Sequence, residues 1–82
     1  MQIDKEFRDL IPRSTDEEMQ LLENSLIAEG CRDALITWQG VLIEGHSRYE
    51  LCLKNKIPFT SKEKEFESRE KVIEWITKNQ IE

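Results

Sequence analysis

Apolar positions in this chain fall into helical spacing in some stretches and strand-like runs in others. Between Ser14 and Gly30, Met19, Leu22, Leu26 and Ile27 recur at three- and four-residue intervals, which predicts a helix with one buried face. Its start is marked by Ser14-Thr15-Asp16-Glu17-Glu18. Thr15 is the expected N-cap, Glu18 closes a capping box, and Asp16 and Glu17 oppose the helix dipole favourably. Gly30 stands where a left-handed C-terminal residue belongs, so the helix should stop near Glu29. Ala34-Leu35-Ile36-Thr37-Trp38 and Val41-Leu42-Ile43 are β-rich runs with only Gln39-Gly40 between them, the pattern of a tight hairpin. Trp38 is placed near the hairpin end, where its flat face can cover the core.

A second helix is expected from His46 to about Lys56, with Tyr49, Cys52 and Leu53 inward. Asn55-Lys56-Ile57-Pro58-Phe59 breaks it, and Pro58 suits the start of a strand or a sheet edge. Residues 59–66 are charged and fit either a solvated edge strand or a loop. Ser68-Arg69-Glu70-Lys71 opens a last helix with a stripe of Val72, Trp75 and Ile76. Before all of these, Ile3 and Phe7 to Ile11 form an apolar-studded lead-in that ends at Pro12. The ending Lys78-Asn79-Gln80-Ile81-Glu82 carries no Gly or Pro stop, which reads as a cut from a longer protein at this helix.

A length of 82 residues makes this one domain over residues 1–82, with a single core supplying no more than about 3–5 kcal/mol of net stability. Periodic apolar clusters argue against disorder despite 35% charged residues. No apolar run suffices for a membrane span, and Met1 to Glu6 lack the apolar stretch of a signal peptide, so a cytoplasmic location is expected. Cys31 and Cys52 fit that setting as reduced thiols. They form no CxxC pair, and with one histidine they make a poor zinc site, so no structural metal is expected. The net charge of −5 argues against holding nucleic acid by its phosphates. The charge is uneven. Residues 1–30 set Lys5, Arg8 and Arg13 against eight carboxylates, whereas residues 31–82 are balanced at nine of each sign.

The balanced part contains the densest chemistry of the chain, Val41-Leu42-Ile43-Glu44-Gly45-His46-Ser47-Arg48-Tyr49-Glu50. A strand runs into a glycine, and a helix starts at once behind it. Such a turn presents unpaired backbone N–H groups and the positive end of a helix dipole, a site for phosphate or another anion. Arg48 lies about one turn further in, where its guanidinium can grip the same anion. Each residue also has a plain structural use. Gly45 can supply positive φ, Ser47 or less favourably His46 can be the N-cap, and Arg48 can pair with Glu44 for roughly 0–1 kcal/mol.

The ordered set of segments resembles the N-terminal domain of ParB partition proteins, within the ParB/sulfiredoxin superfamily. Ser25-Leu26 and Gly30 resemble the Ser-Ile pair and terminal glycine of that family's first helix. Leu35-Ile36-Thr37 is similar to its Pro-Leu/Ile-x-Val strand, and Gly45-His46-Ser47-Arg48 to its Gly-x-x-Arg turn. The resemblance covers roughly residues 10–60. It implies a small α+β domain, a short mixed sheet with a hairpin packed against about three helices. It also implies nucleotide binding, with CTP as in ParB proteins or ATP as in sulfiredoxins, together with Mg²⁺. Gly45, His46, Ser47 and Arg48 would cradle the phosphates. Gly30, Arg32 and Asp33, in the loop after the first helix, would face the base or sugar, where the Asp33 carboxylate can accept from an amino group.

Two departures from the family pattern bear on this. Sulfiredoxins carry a reactive cysteine directly after the motif glycine, and His46 stands there; Cys52, inside a helix on its apolar side, is no replacement. ParB turns usually read Gly-Glu-Arg-Arg, so Ser47 leaves the site one fixed positive charge short, which a protonated His46 would partly restore. The expectation is a nucleotide-responsive regulatory module of a DNA-associated protein of plasmid, phage or mobile-element type. The family's DNA-reading helix-turn-helix is missing from this chain, so DNA contact would come from residues beyond Glu82. One alternative is a phosphotransferase or nuclease using the same turn, with Glu44 as the nearby candidate for a metal-binding carboxylate and His46 as a possible base. Another is a protein-interaction domain whose turn binds nothing.

Overall fold

The computed structural model describes residues 1–11 and 14–79. Within these residues the order is β1 (Gln2–Ile3), α1 (Lys5–Asp9), α2 (Asp16–Glu29), β2 (Leu35–Trp38), β3 (Val41–Glu44), α3 (His46–Asn55), β4 (Ser61–Glu63) and α4 (Arg69–Lys78). The strands form one mixed sheet in the order β1-β3-β2-β4, giving a small α+β domain. At its centre is the hairpin, with Trp38 opposite Val41 and Thr37 opposite Leu42. Its turn has φ of 51° at Gln39 and 78° at Gly40, the double positive φ that matches the twist of paired strands. The outer strands run parallel to their neighbours, β1 along β3 and β4 along β2.

Glu63 on β4 ties that edge to the hairpin. Its carboxylate accepts from the buried Thr37 hydroxyl at 2.8 Å and from the Gln39 amide of the turn.

Strand alternation sends side chains to both faces of the sheet. On one face Ile43 joins Phe7 of α1 and Val72 and Ile76 of α4 in a buried cluster, with Ile36, Trp38 and Val41 packed against it. Trp38 meets Phe7 edge-on, with ring centroids 6.4 Å apart, so it covers the core as its place in the sequence implied. The neighbouring Leu35 and Leu42 are fully buried and belong to the other set of alternating positions. A second cluster, Leu26 of α2 with Leu51 and Cys52 of α3, joins those two helices.

Helix α2 begins as its sequence dictates. The Glu18 amide donates to Thr15 Oγ1 at 3.1 Å, and the Thr15 amide donates to Glu18 Oε1 at 2.9 Å. Ser68 likewise caps α4, its oxygen accepting from the Lys71 amide.

Several expectations need correction. The domain has a fourth helix and an extra strand, because Asp4 caps a short α1 in the lead-in and Gln2–Ile3 add to the hairpin. Gly30 has φ 80° but ψ 177°, so it ends α2 in an extended conformation that L-residues avoid rather than in the left-handed helical one. Ile27 and Leu53 are 60% and 57% exposed, and Leu51 takes the inward place assigned to Leu53. Residues 59–66 contain a short edge strand, all three residues of β4 being exposed, while Pro58 stays in the loop before it. The expected break at Pro12 and the chain end at Gln80–Glu82 lie outside the described residues. Among the described residues no helix is long and apolar enough to cross a membrane.

Candidate anion site at the β3–α3 turn

Strand β3 ends at Glu44 and α3 begins at His46, so Gly45 alone makes the turn. Its φ of 96° and ψ of 27° are left-handed. A Cβ here would stand 2.6 Å from Leu35 Cδ2 and 3.0 Å from Arg48 Nη2. Conformation and space thus both demand glycine. Gly45 is itself the N-cap, which leaves neither Ser47 nor His46 in that role. The Tyr49 amide donates to the Gly45 carbonyl at 2.9 Å, so the amides of His46, Ser47 and Arg48 precede the first intrahelical bond.

No side chain caps this turn, and its first residues include no carboxylate. The other three helices among the described residues are all provided for: Asp4 and Glu6 at α1, Thr15, Asp16, Glu17 and Glu18 at α2, Ser68 and Glu70 at α4. At α3 the positive end of the dipole is left without a compensating oxygen from its own sequence.

The Arg48 side chain is 20% exposed and folds back over Gly45. Nη1 donates to the Asp33 carbonyl at 3.0 Å, and Nη2 lies 3.6 Å from Glu44 Oε1. The loop after α2 and the glycine turn, which the resemblance assigned to the two ends of one ligand, are therefore joined by this guanidinium. A guanidinium has five N–H donors, so one carbonyl bond and one loose ion pair leave donor capacity over.

The remaining candidate residues are placed differently. Arg32 is largely exposed and pairs with Glu29 at 2.9 Å on the surface, while Gly30 shapes the chain entering the loop. The His46 ring is turned inward, where Nε2 is buried with no hydrogen-bond partner among the described residues. Burial first, and then the charge of Arg8, lower its pKa, with only the Leu42 carbonyl opposing. His46 is thus neutral at pH 7 and does not restore the positive charge that Ser47 fails to supply. Glu44, the carboxylate candidate, is loosely paired with Arg48.

No group of three or more His, Cys, Asp or Glu among the described residues is arranged to hold a metal ion. A separate groove of about 320 Å³ runs between α2 and α3 and is lined by Asp16, Glu23, Glu50 and Lys54 with Met19 and Leu51. Sequence spacing did not mark it, because its lining comes from two helices meeting. None of residues 45–48 borders it. Comparison with protein families, with curated proteins and with solved structures finds no match for this chain.

Proposed function

We propose that this domain is a nucleotide-binding regulatory module that captures phosphate at Gly45 to Arg48. One observation carries the reading: among the helices of the described residues α3 alone begins without a side-chain cap or an acidic first-turn residue, and an arginine is held directly over its first turn. Helix-start amides without a capping side chain and a guanidinium beside the turn are the chemistry that suits phosphate oxygens. A phosphate arriving there would displace the loose Glu44 pair and keep the Asp33 bond. It would draw together the Gly30–Asp33 loop and α3, and that ordering would be the signal to a partner. The ParB-like resemblance supports CTP or ATP with Mg²⁺ as the ligand. In a ParB-like protein DNA would be met by a separate segment, which agrees with the net charge of −5. Turnover has less support, since a half-buried, neutral His46 whose enclosed Nε2 has no partner among the described residues is poorly placed to act on a phosphoryl group.

Calorimetry with CTP, ATP and GTP plus Mg²⁺ tests the proposal. Heat from at least one nucleotide is expected, abolished in Arg48→Ala while circular dichroism stays unchanged. A ligand at about a hundred times its Kd adds about 2.7 kcal/mol, so the melting temperature should rise by roughly 10–20 °C in parallel. Absence of heat at millimolar nucleotide defeats the reading and leaves an interaction domain with a purely structural turn.

A further inference from the structure

The loop after α2 and the middle of α3 each deliver one cysteine to the same apolar cluster. Cys52 is 1% exposed beside Leu26 and Leu51, and the partly buried Cys31 packs against that group. The two thiols, scattered in sequence, are brought by the fold to one cluster. Cys31 Sγ also lies 3.5 Å from the Asp33 carbonyl, the same oxygen that receives Arg48. Both cysteines are free.

We propose that Cys31 and Cys52 are a reversible dithiol–disulfide couple, oxidised by low-molecular-weight disulfides of the glutathione type, that staples the α2–β2 loop to α3. The accessibility of the two sulfurs sets the order of events. Burial, and next the Cys31 thiol itself, push the Cys52 pKa up, so the partly exposed Cys31 is the attacking group. The Cys31 thiolate attacks one sulfur of glutathione disulfide, forming a mixed disulfide and releasing one glutathione thiolate. That thiolate takes up the proton lost by Cys31. The Cys52 sulfur, giving its proton to the second leaving thiolate, then attacks the Cys31 sulfur and expels the second glutathione. The protein loses two protons and two electrons, and one disulfide becomes two thiols.

The product closes a loop that contains both Asp33 and Arg48. Oxidation would also remove the Cys31 S–H from the Asp33 carbonyl, leaving that oxygen to Arg48. Control of anion binding by this couple rests on the proposed function; the disulfide does not.

Intact-mass analysis of the reduced chain after incubation with excess glutathione disulfide, quenched with acid, reads the couple directly. The expected product is the monomer lacking two hydrogens, closed to alkylating reagent and restored by dithiothreitol. Its thermal midpoint should exceed that of the reduced chain by roughly 10 °C. Cys52→Ala should instead stop at a glutathione adduct on Cys31. The proposal is overturned if the unsubstituted chain retains a glutathione adduct, if linked dimers are the main product, or if both thiols stay free. Because mass is read without any anion present, a failure of nucleotide binding leaves this result standing.

Discussion

At Gly45 a backbone demand and a packing demand fall on one residue. The left-handed φ of 96° strains any L-side chain, and Leu35 Cδ2 occupies the place of a Cβ. Gly45→Ala should therefore cost about 1–3 kcal/mol, read as a lower urea midpoint at unchanged slope. A neutral result would mean that Leu35 and the turn yield easily. Lys56 is the opposite case. It holds φ 55° and ψ 41° at the C-cap of α3, with its amide donating to the Cys52 and Leu53 carbonyls, in a conformation that glycine adopts freely. Lys56→Gly should raise stability by about 0.5–1 kcal/mol in the same titration, since the left-handed penalty is removed. His46 shows what a residue letter cannot convey. Its place after Gly45 is plain in the sequence, but whether the ring faces an anion or the interior depends on the chain around it. Arg48 divides in the same way, since its pairing with Glu44 is a neighbour effect that spacing gives away. Its bond to the Asp33 carbonyl is tertiary and is made to a backbone atom that every residue possesses.

Elements were legible where local chemistry alone decides them. Thr15 with Glu18, Ser68 with the following turn, and Gln39-Gly40 between two β-rich runs each specify a boundary within a few residues, and all three boundaries stand where expected. Thr15→Ala should accordingly destabilise the domain by about 1 kcal/mol, and Glu18→Ala by less, because the threonine satisfies a helix amide and the glutamate only the cap's own. Chemical denaturation of both variants checks the order. Strand β1 and helix α1 were illegible for the reverse reason. They have two and five residues, too few for any periodicity, and they exist through partners distant in sequence. Arg69 donates to Asp4 and Glu6 and lies over the Phe7 ring at 4.3 Å, so α4 holds α1 in place. Helical spacing likewise promised burial to Ile27 and Leu53. A helix with a single packed neighbour buries a narrower stripe than its apolar residues could fill, and the surplus stays in solvent.

Across the whole molecule, an acidic chain uses some of its carboxylates as fasteners between elements. Asp4, the cap of α1, is held by Arg69 of α4, Glu23 of α2 by Asn55 and then Lys54 of α3, and Glu63 of β4 by Thr37 of β2 and then the hairpin amide of Gln39. These contacts lower the pKa of all three, in each case chiefly through the first partner named. A carboxylate whose folded pKa lies below its unfolded value stabilises fully above the unfolded value, near pH 4, and loses that contribution as pH falls through the folded one. His46 acts in a higher window with the same sign. Burial lowers its folded pKa, so the unfolded chain takes up the proton first, and stability drains as pH falls below about 6.5 toward the folded value. The urea midpoint should thus be level between about pH 7 and 8, decline as pH falls below about 6.5, and decline again below about pH 4. Replacing His46 by Gln should remove the upper decline and spare the lower one. Glu63→Gln should instead reduce the lower decline, since an amide can still accept from Thr37 but no longer titrates. A midpoint that stays level from pH 8 to 5 would mean that the His46 ring reaches water and protonates at no cost, and a single decline untouched by Glu63→Gln would locate the acid sensitivity outside these fasteners.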